Sequence, residues 1–176
     1  MDIVYIVLAV IAGLFLLLLI VAATKPAAFR IERSMSIKAP PEKIFPLITN
    51  FHSWGGWSPW ENIDPNLKRT YSGPASGKGA VYEWEGPKAG KGRMEILDAP
   101  ASSKVTIKLD FLKPFEAHNT AEFTLQSSGG TTTVTWAMFG PQAFIGKVMC
   151  VFINMDKMLG KNFEQGLASM KTLAEK

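Results

Sequence analysis

The spacing of hydrophobic positions divides the chain into segments of different period. Residues 3–23, IVYIVLAVIAGLFLLLLIVAA, contain no charge and no strong polar group. At about 1.5 Å per residue, a helix of that length spans roughly 31 Å, the thickness of a bilayer's hydrocarbon core. A short linker containing Pro26 follows. The period then becomes two, with Phe29, Ile31, Met35 and Ile37 on one parity together with Arg33, as in a strand. In APPEKIFPLITN, residues Pro40, Pro41 and Glu42 mark a helix start. Ile44, Leu47 and Ile48 keep helical spacing, and Pro46 limits the helix to about two turns. The stretch WGGWSPWENIDP, residues 54–65, places Trp54, Trp57 and Trp60 among glycines and prolines that exclude a long helix or a central strand.

From Leu67 to Phe139 the period is two throughout. LKRTYSG, GAVYEWEG, GKGRMEILD, SKVTIKLDF, AEFTLQ and TTTVTWAMF each carry one apolar face, and Gly/Pro/Ser/Asp turns separate them. Successive strands of this kind predict an antiparallel meander. After Gly140-Pro141 a period of 3.6 returns. Ile145, Val148, Met149, Phe152, Met155, Leu159, Phe163, Leu167, Met170 and Leu173 fall on one stripe, predicting a single helix of roughly thirty residues that Gly160 and Gly166 weaken. The fold class expected is α+β. One transmembrane helix precedes a curled antiparallel sheet of about seven strands, and that sheet wraps around the long C-terminal helix. Domain boundaries follow: an anchor at 1–24, a linker at 25–28 and one domain at 29–176.

Composition adds limits. A chain of 176 residues suits one domain of ordinary size. The net charge of +4 comes from scattered Lys and Arg with no basic run, so nucleic acid is not an expected partner. Cys150 is the single cysteine, which excludes an intrachain disulfide and a cysteine metal site. Lys25, Arg30, Arg33 and Lys38 follow the apolar run, and the positive-inside rule then puts the domain in the cytoplasm, on a single-pass inner-membrane anchor. The rival is a cleaved signal peptide ending near Val21-Ala22-Ala23, which would make the domain periplasmic or secreted. Against it, no Lys or Arg precedes the run, and the run exceeds the usual apolar region of about 7–15 residues.

The segments IKAPPEKIF, WGGWSPW with its following DP, YSGP, GKGAVYEWEG, DFLKPFEA, TTVTWAM and MDKMLGKNFEQGLASMK, in this order, resemble the SRPBCC superfamily. This is the START-like group that includes polyketide cyclase/dehydrase and lipid-transport domains. The resemblance is closest to its bacterial branch with an N-terminal membrane helix, and it covers about residues 28–175. It implies a helix-grip fold with a deep cavity for a lipid, sterol, polyketide or other apolar molecule. Catalysis does not follow from it, because many members only bind. It also implies that the tryptophan turn forms a flap over one mouth of the cavity. The alternative is that the three rings complete the core where the sheet opens.

No complete catalytic constellation is present, and neither a metal nor a cofactor is expected. His52 begins the tryptophan turn and His118 has outward parity. Charges on apolar faces are the informative exceptions. Asp156 falls within the apolar stripe of the last helix, and Arg33 and Arg69 share the apolar parity of their strands. Buried charges are costly unless paired. Asp156 is therefore either half of an ion pair or a polar or catalytic group in the cavity, with Arg33 and Arg69 as its possible partners or as anchors themselves. The expected apolar ligand contacts are Trp57, Trp60, Tyr71, Tyr82, Trp84, Phe111, Phe123, Trp136, Met149 and Phe152. The leading expectation is a membrane-anchored binder of a hydrophobic small molecule or lipid. A cyclase/dehydrase-like enzyme and a co-chaperone-like interaction module are the alternatives.

Overall fold

The computed structural model describes residues 2–176. Met1, the first residue of the expected anchor, lies outside the described residues. Helix α1, Asp2–Ala23, is followed by strand β1, Ala28–Ile37, and helix α2, Pro41–Thr49. Two 3-10 turns, Phe51–Gly56 and Pro59–Asn62, carry Trp54 and Trp60, with Trp57 between them. Strands β2 (Lys68–Ser72), β3 (Val81–Gly86), β4 (Gly90–Asp98), β5 (Lys104–Lys113), β6 (Ala117–Ser128) and β7 (Thr131–Pro141) come next. Helices α3, Phe144–Phe152, and α4, Met155–Ala174, close the chain.

The seven strands form one antiparallel sheet in the order β1-β7-β6-β5-β4-β3-β2. Strands β2 to β7 are the expected meander, and β1 returns to pair with β7 from Ala28 opposite Pro141 to Ile37 opposite Thr132. Period-two alternation sets the inner face. Val105, Ile107 and Leu109 on β5 point inward with Ala121, Phe123 and Leu125 on β6 and Val134, Trp136 and Met138 on β7. Helix α4 lies over this concave face and packs mainly along β1. Its buried stripe of Gly160, Phe163, Gly166, Leu167, Met170 and Ala174 repeats at three and four.

The structure corrects the expectation of one continuous C-terminal helix. Ile153 is extended at φ −121° and ψ 127°, which ends α3. The Asn154 side chain then accepts the Lys157 backbone N–H as the cap of a new helix. Helix α4 runs unbroken through both glycines. Each removes a side chain where another group must lie close: a Cβ at Gly160 would overlap the Arg33 guanidinium, and one at Gly166 would overlap the Trp136 ring.

Packing also answers what the tryptophan turn covers. Trp54 and Trp57 are each only 3% exposed. Their indole N–H groups donate to the Ile48 and Leu47 carbonyls, both at 2.9 Å. The last carbonyls of a helix have no partner within it, so the turn completes the C-terminal end of α2 while burying its rings. Trp57 packs on Trp136 and Phe123 with centroids 5.3 and 6.0 Å apart. It is core. Trp57→Ala should cost about 3–5 kcal/mol in urea unfolding. A loss under about 1 kcal/mol would mean that the turn only drapes over the sheet.

Candidate functional site

Beyond the tryptophan cluster, the sheet and α4 enclose a cavity of about 300 Å³. Trp60, Tyr82, Trp84, Phe111 and Trp136 contribute aromatic walls, and Met94, Leu109, Met138, Leu159 and Phe163 contribute aliphatic and further aromatic surface. The cavity reaches the surface at Ile63 and Lys88, both exposed. Local sequence shapes this room. Gly92 lacks the Cβ that would strike the Trp84 ring, so the indole can lie against β4 and donate to the Ala89 carbonyl at 3.3 Å. Asp64 ties the mouth together, accepting the backbone N–H groups of Lys88, Ala89 and Asn66. These bonds, led by that from Lys88, hold its carboxyl below the usual range despite burial.

One carboxylate lies in the apolar wall. Glu61, 7% exposed, sits in the second 3-10 turn. Its Oε1 accepts from the Tyr82 hydroxyl at 2.7 Å, and its Oε2 accepts from Arg69 Nε at 2.6 Å. Arg69 Nη2 also donates to the Glu61 carbonyl at 2.8 Å. The triad joins the turn to β2 and β3, and it supplies the partners that a charge in an apolar wall requires. Burial, reinforced by the bond to Glu61, pushes the Tyr82 phenol well above its ordinary value. Burial and the nearby Glu61 charge also raise Tyr71, which stacks on Tyr82 at 5.2 Å.

The expected site residues separate into groups. Trp60, Tyr82, Trp84, Phe111 and Trp136 line the cavity, whereas Trp57 and Phe123 are buried behind it. Tyr71 lines a different recess of about 240 Å³, beside His52, whose ring stacks on it at 3.9 Å. Met149 and Phe152 are exposed on α3, away from the cavity. Asp156 is 62% exposed and lines neither the cavity nor the recess; its two oxygens take the Arg33 guanidinium at 2.9 and 3.1 Å, and Glu164 takes Arg33 Nε. The helix stripe does carry Asp156, but at the first turn of α4 that stripe overhangs the β1 edge rather than the cavity. The candidate catalytic assignment to Asp156 is therefore dropped, and Arg33 belongs to this rim ion pair. Arg69 does reach the cavity wall, through Glu61 and not through Asp156.

Glu61 itself went unforeseen from the sequence. A 3-10 turn has no long period against which a buried acid stands out. The available signal was Arg69 on an apolar parity, which required an acid nearby. His118 faces outward on β6, as its parity indicated, and pairs with Asp110 at 2.7 Å, which raises its pKa. Among the described residues no cluster could hold a metal ion.

The model of the family described as polyketide cyclase/dehydrase and lipid transport matches residues 28–175. Among solved structures, a Chromobacterium violaceum protein superposes with TM-score 0.59 at 14% identity, covering 86% of this chain and 99% of its own. The Aha1 dimer of Colwellia psychrerythraea gives 0.57 at 20%, covering 84% and 96%. Ara h 8.0201 gives 0.53 at 11%, covering 84% and 95%. These likenesses establish the fold. No match was found among curated proteins.

The raised tyrosines carry a sign. Folded Tyr71 and Tyr82 hold their protons above the ordinary value of 10, at which the unfolded chain releases them. Their contribution to stability is full below pH 10 and is lost as pH rises through the folded values. Tyr82→Phe should flatten this alkaline decline. At neutral pH it should cost about 1–3 kcal/mol, because Glu61 Oε1 loses its donor. Unfolding followed at neutral and alkaline pH checks both, and an unchanged alkaline slope would contradict the assignment.

Proposed function

The chain belongs to the polyketide cyclase/dehydrase and lipid transport family, and within it we propose a membrane-anchored binding protein. It holds one hydrophobic small molecule and orients the molecule's hydrogen-bond donor on Glu61. The observation that carries this reading is a largely apolar cavity of about 300 Å³ with a single carboxylate in its wall. That volume is at the lower end of small-molecule sites, roughly 300–1,000 Å³, which favours a compact ligand over a large one. Ser58, Lys88 and the Tyr82 hydroxyl, which Glu61 already engages, are the other polar groups on the lining apart from the indole nitrogens, and Lys88 stands at the mouth. Helix α1, 22 residues long, supports the anchor. The basic residues after it favour a cytoplasmic domain.

A cyclase-like role is the second reading, favoured by the same buried Glu61. A general base needs a free oxygen directed at the substrate. Both Glu61 oxygens already accept from Tyr82 and Arg69, which weighs toward binding. Each oxygen retains a second lone pair, enough to accept one further donor from a ligand.

A long-chain alcohol and its methyl ether test the assignment, with the full chain in nanodiscs and tryptophan fluorescence as the readout. The alcohol should bind more tightly. Glu61→Gln should weaken the alcohol about tenfold or more, the equivalent of a charge-assisted hydrogen bond, and leave the ether nearly unchanged. Equal weakening of both probes would reduce Glu61 to a structural tie. Failure of both to bind the wild-type chain would remove the ligand-binding reading.

A further inference from the structure

The pairing registers place one set of loops at one end of the sheet. Ala28 opens β1 opposite Pro141 at the close of β7, Phe111 near the end of β5 faces Ala117, and Gly86 faces Gly90. The end of α1, the 86–90 hairpin, the 114–116 turn, α3 and the cavity mouth therefore share this end. Exposed apolar side chains concentrate there too. Leu112 and Phe115 flank or form one turn, and Phe144, Ile145, Phe152 and Ile153 belong to or follow α3. The far end carries only Leu97 and Leu173 among the large exposed apolar residues outside α1.

Helix α3 is the clearest anomaly. Its sequence, FIGKVMCVF, has one charge, yet none of its residues is buried. A helix this apolar in water would forfeit the burial that normally holds a short helix together. Its principal contact is α1, the helix long and apolar enough to cross a membrane. Lys25, Lys68, Lys88, Lys113, Lys147 and Lys157 belong to the same end. None of the six makes an ion pair among the described residues; Lys91, at the same end, pairs with Glu85, and Lys38, Lys43, Lys78, Lys161 and Lys176 are without an ion pair as well. Apolar side chains ringed by free lysines match the acyl boundary and anionic headgroups of one leaflet.

We propose that this end of the domain is a membrane-docking surface. Helix α3 lies in the interface beside α1, and the 114–116 turn dips Phe115 into the same leaflet. The mouth at Ile63 and Lys88 opens onto the bilayer. A hydrophobic ligand then passes between membrane and cavity without crossing water. The proposal rests on the reading of α1 as an anchor, and its test separates the two.

Single cysteines carrying nitroxide labels replace Leu14, Leu97, Phe115 and Phe152 in a Cys150→Ser background. The full chain is reconstituted into vesicles of phosphatidylcholine and phosphatidylglycerol. Collision with oxygen, which concentrates in lipid, is compared with collision with a water-soluble nickel chelate. Labels at 115 and 152 should give ratios on the lipid side, between that at 14 and that at 97, as an interfacial depth requires, and the label at 97 should read as water. Water-like values at 115 and 152 beside a lipid-like 14 would overturn the docking surface and leave the anchor standing. Low collision with both reagents at 115 and 152 would show a protein partner or second copy covering the face, and would also overturn it. A water-like value at 14 would remove the anchor, and the docking surface with it.

Discussion

The Trp136 ring is the contact on which the rest of the fold depends. It stacks on Phe163 of α4 with centroids 4.5 Å apart and planes at 11°, and on Phe123 of the next strand at 4.9 Å. Trp57 and Trp60 meet it edge-on at 5.3 and 5.2 Å. One ring thus joins sheet, helix and tryptophan turn. Gly166 is what allows α4 to come this close. With the helix held at that point, the sheet's concave face is filled on one side by Trp54, Trp57 and Phe123. On the other side it curls away from α4 and leaves space. Aromatic side chains bury large areas and prefer such stacked and edge-on arrangements, so the packing that fixes the helix also sets where the cavity begins.

The cavity's chemistry follows from its being an apolar room with one acid. Isolated burial of Glu61 would be prohibitive, and Arg69 and Tyr82 remove most of that cost. Arg69 is partly exposed, so its own charge keeps some solvent while its Nε reaches inward. The site therefore has a wet side and a dry side. Lys88 and Ile63 mark the route out, and Asp64 braces both flanks of that route by gathering the backbone of the 86–90 hairpin.

Much of this was legible in the sequence, for identifiable reasons. Period two over residues 67–139 gave the strands, most plainly β4 to β7, where buried and wetter positions alternate. The 3.6 period gave the face of α4 correctly from Leu159 to Met170. What it could not give was how far the concave sheet extends beneath that face. Asp156 is on the stripe, yet it meets Arg33 of β1, the edge strand of the sheet, and stays at the rim. The break at Asn154 was likewise hidden, since α3 continues the hydrophobic run and only a capping side chain marks the new start. Met149 and Phe152 were carried into the cavity by that false continuity. Trp57 was expected among the ligand contacts and is core, because whether a ring forms wall or core depends on a few ångströms of packing that spacing does not encode.

The proposed function requires the space between sheet and α4 to hold an apolar molecule. Native mass spectrometry of the full chain, purified from its own cells, is the decisive measurement. The account predicts a single bound small molecule per chain. It also predicts loss of that adduct in Ala89→Phe, where a ring added at the cavity lining takes up the ligand's volume. A wild-type chain that carries no adduct, or an adduct that survives the filled cavity, would contradict it.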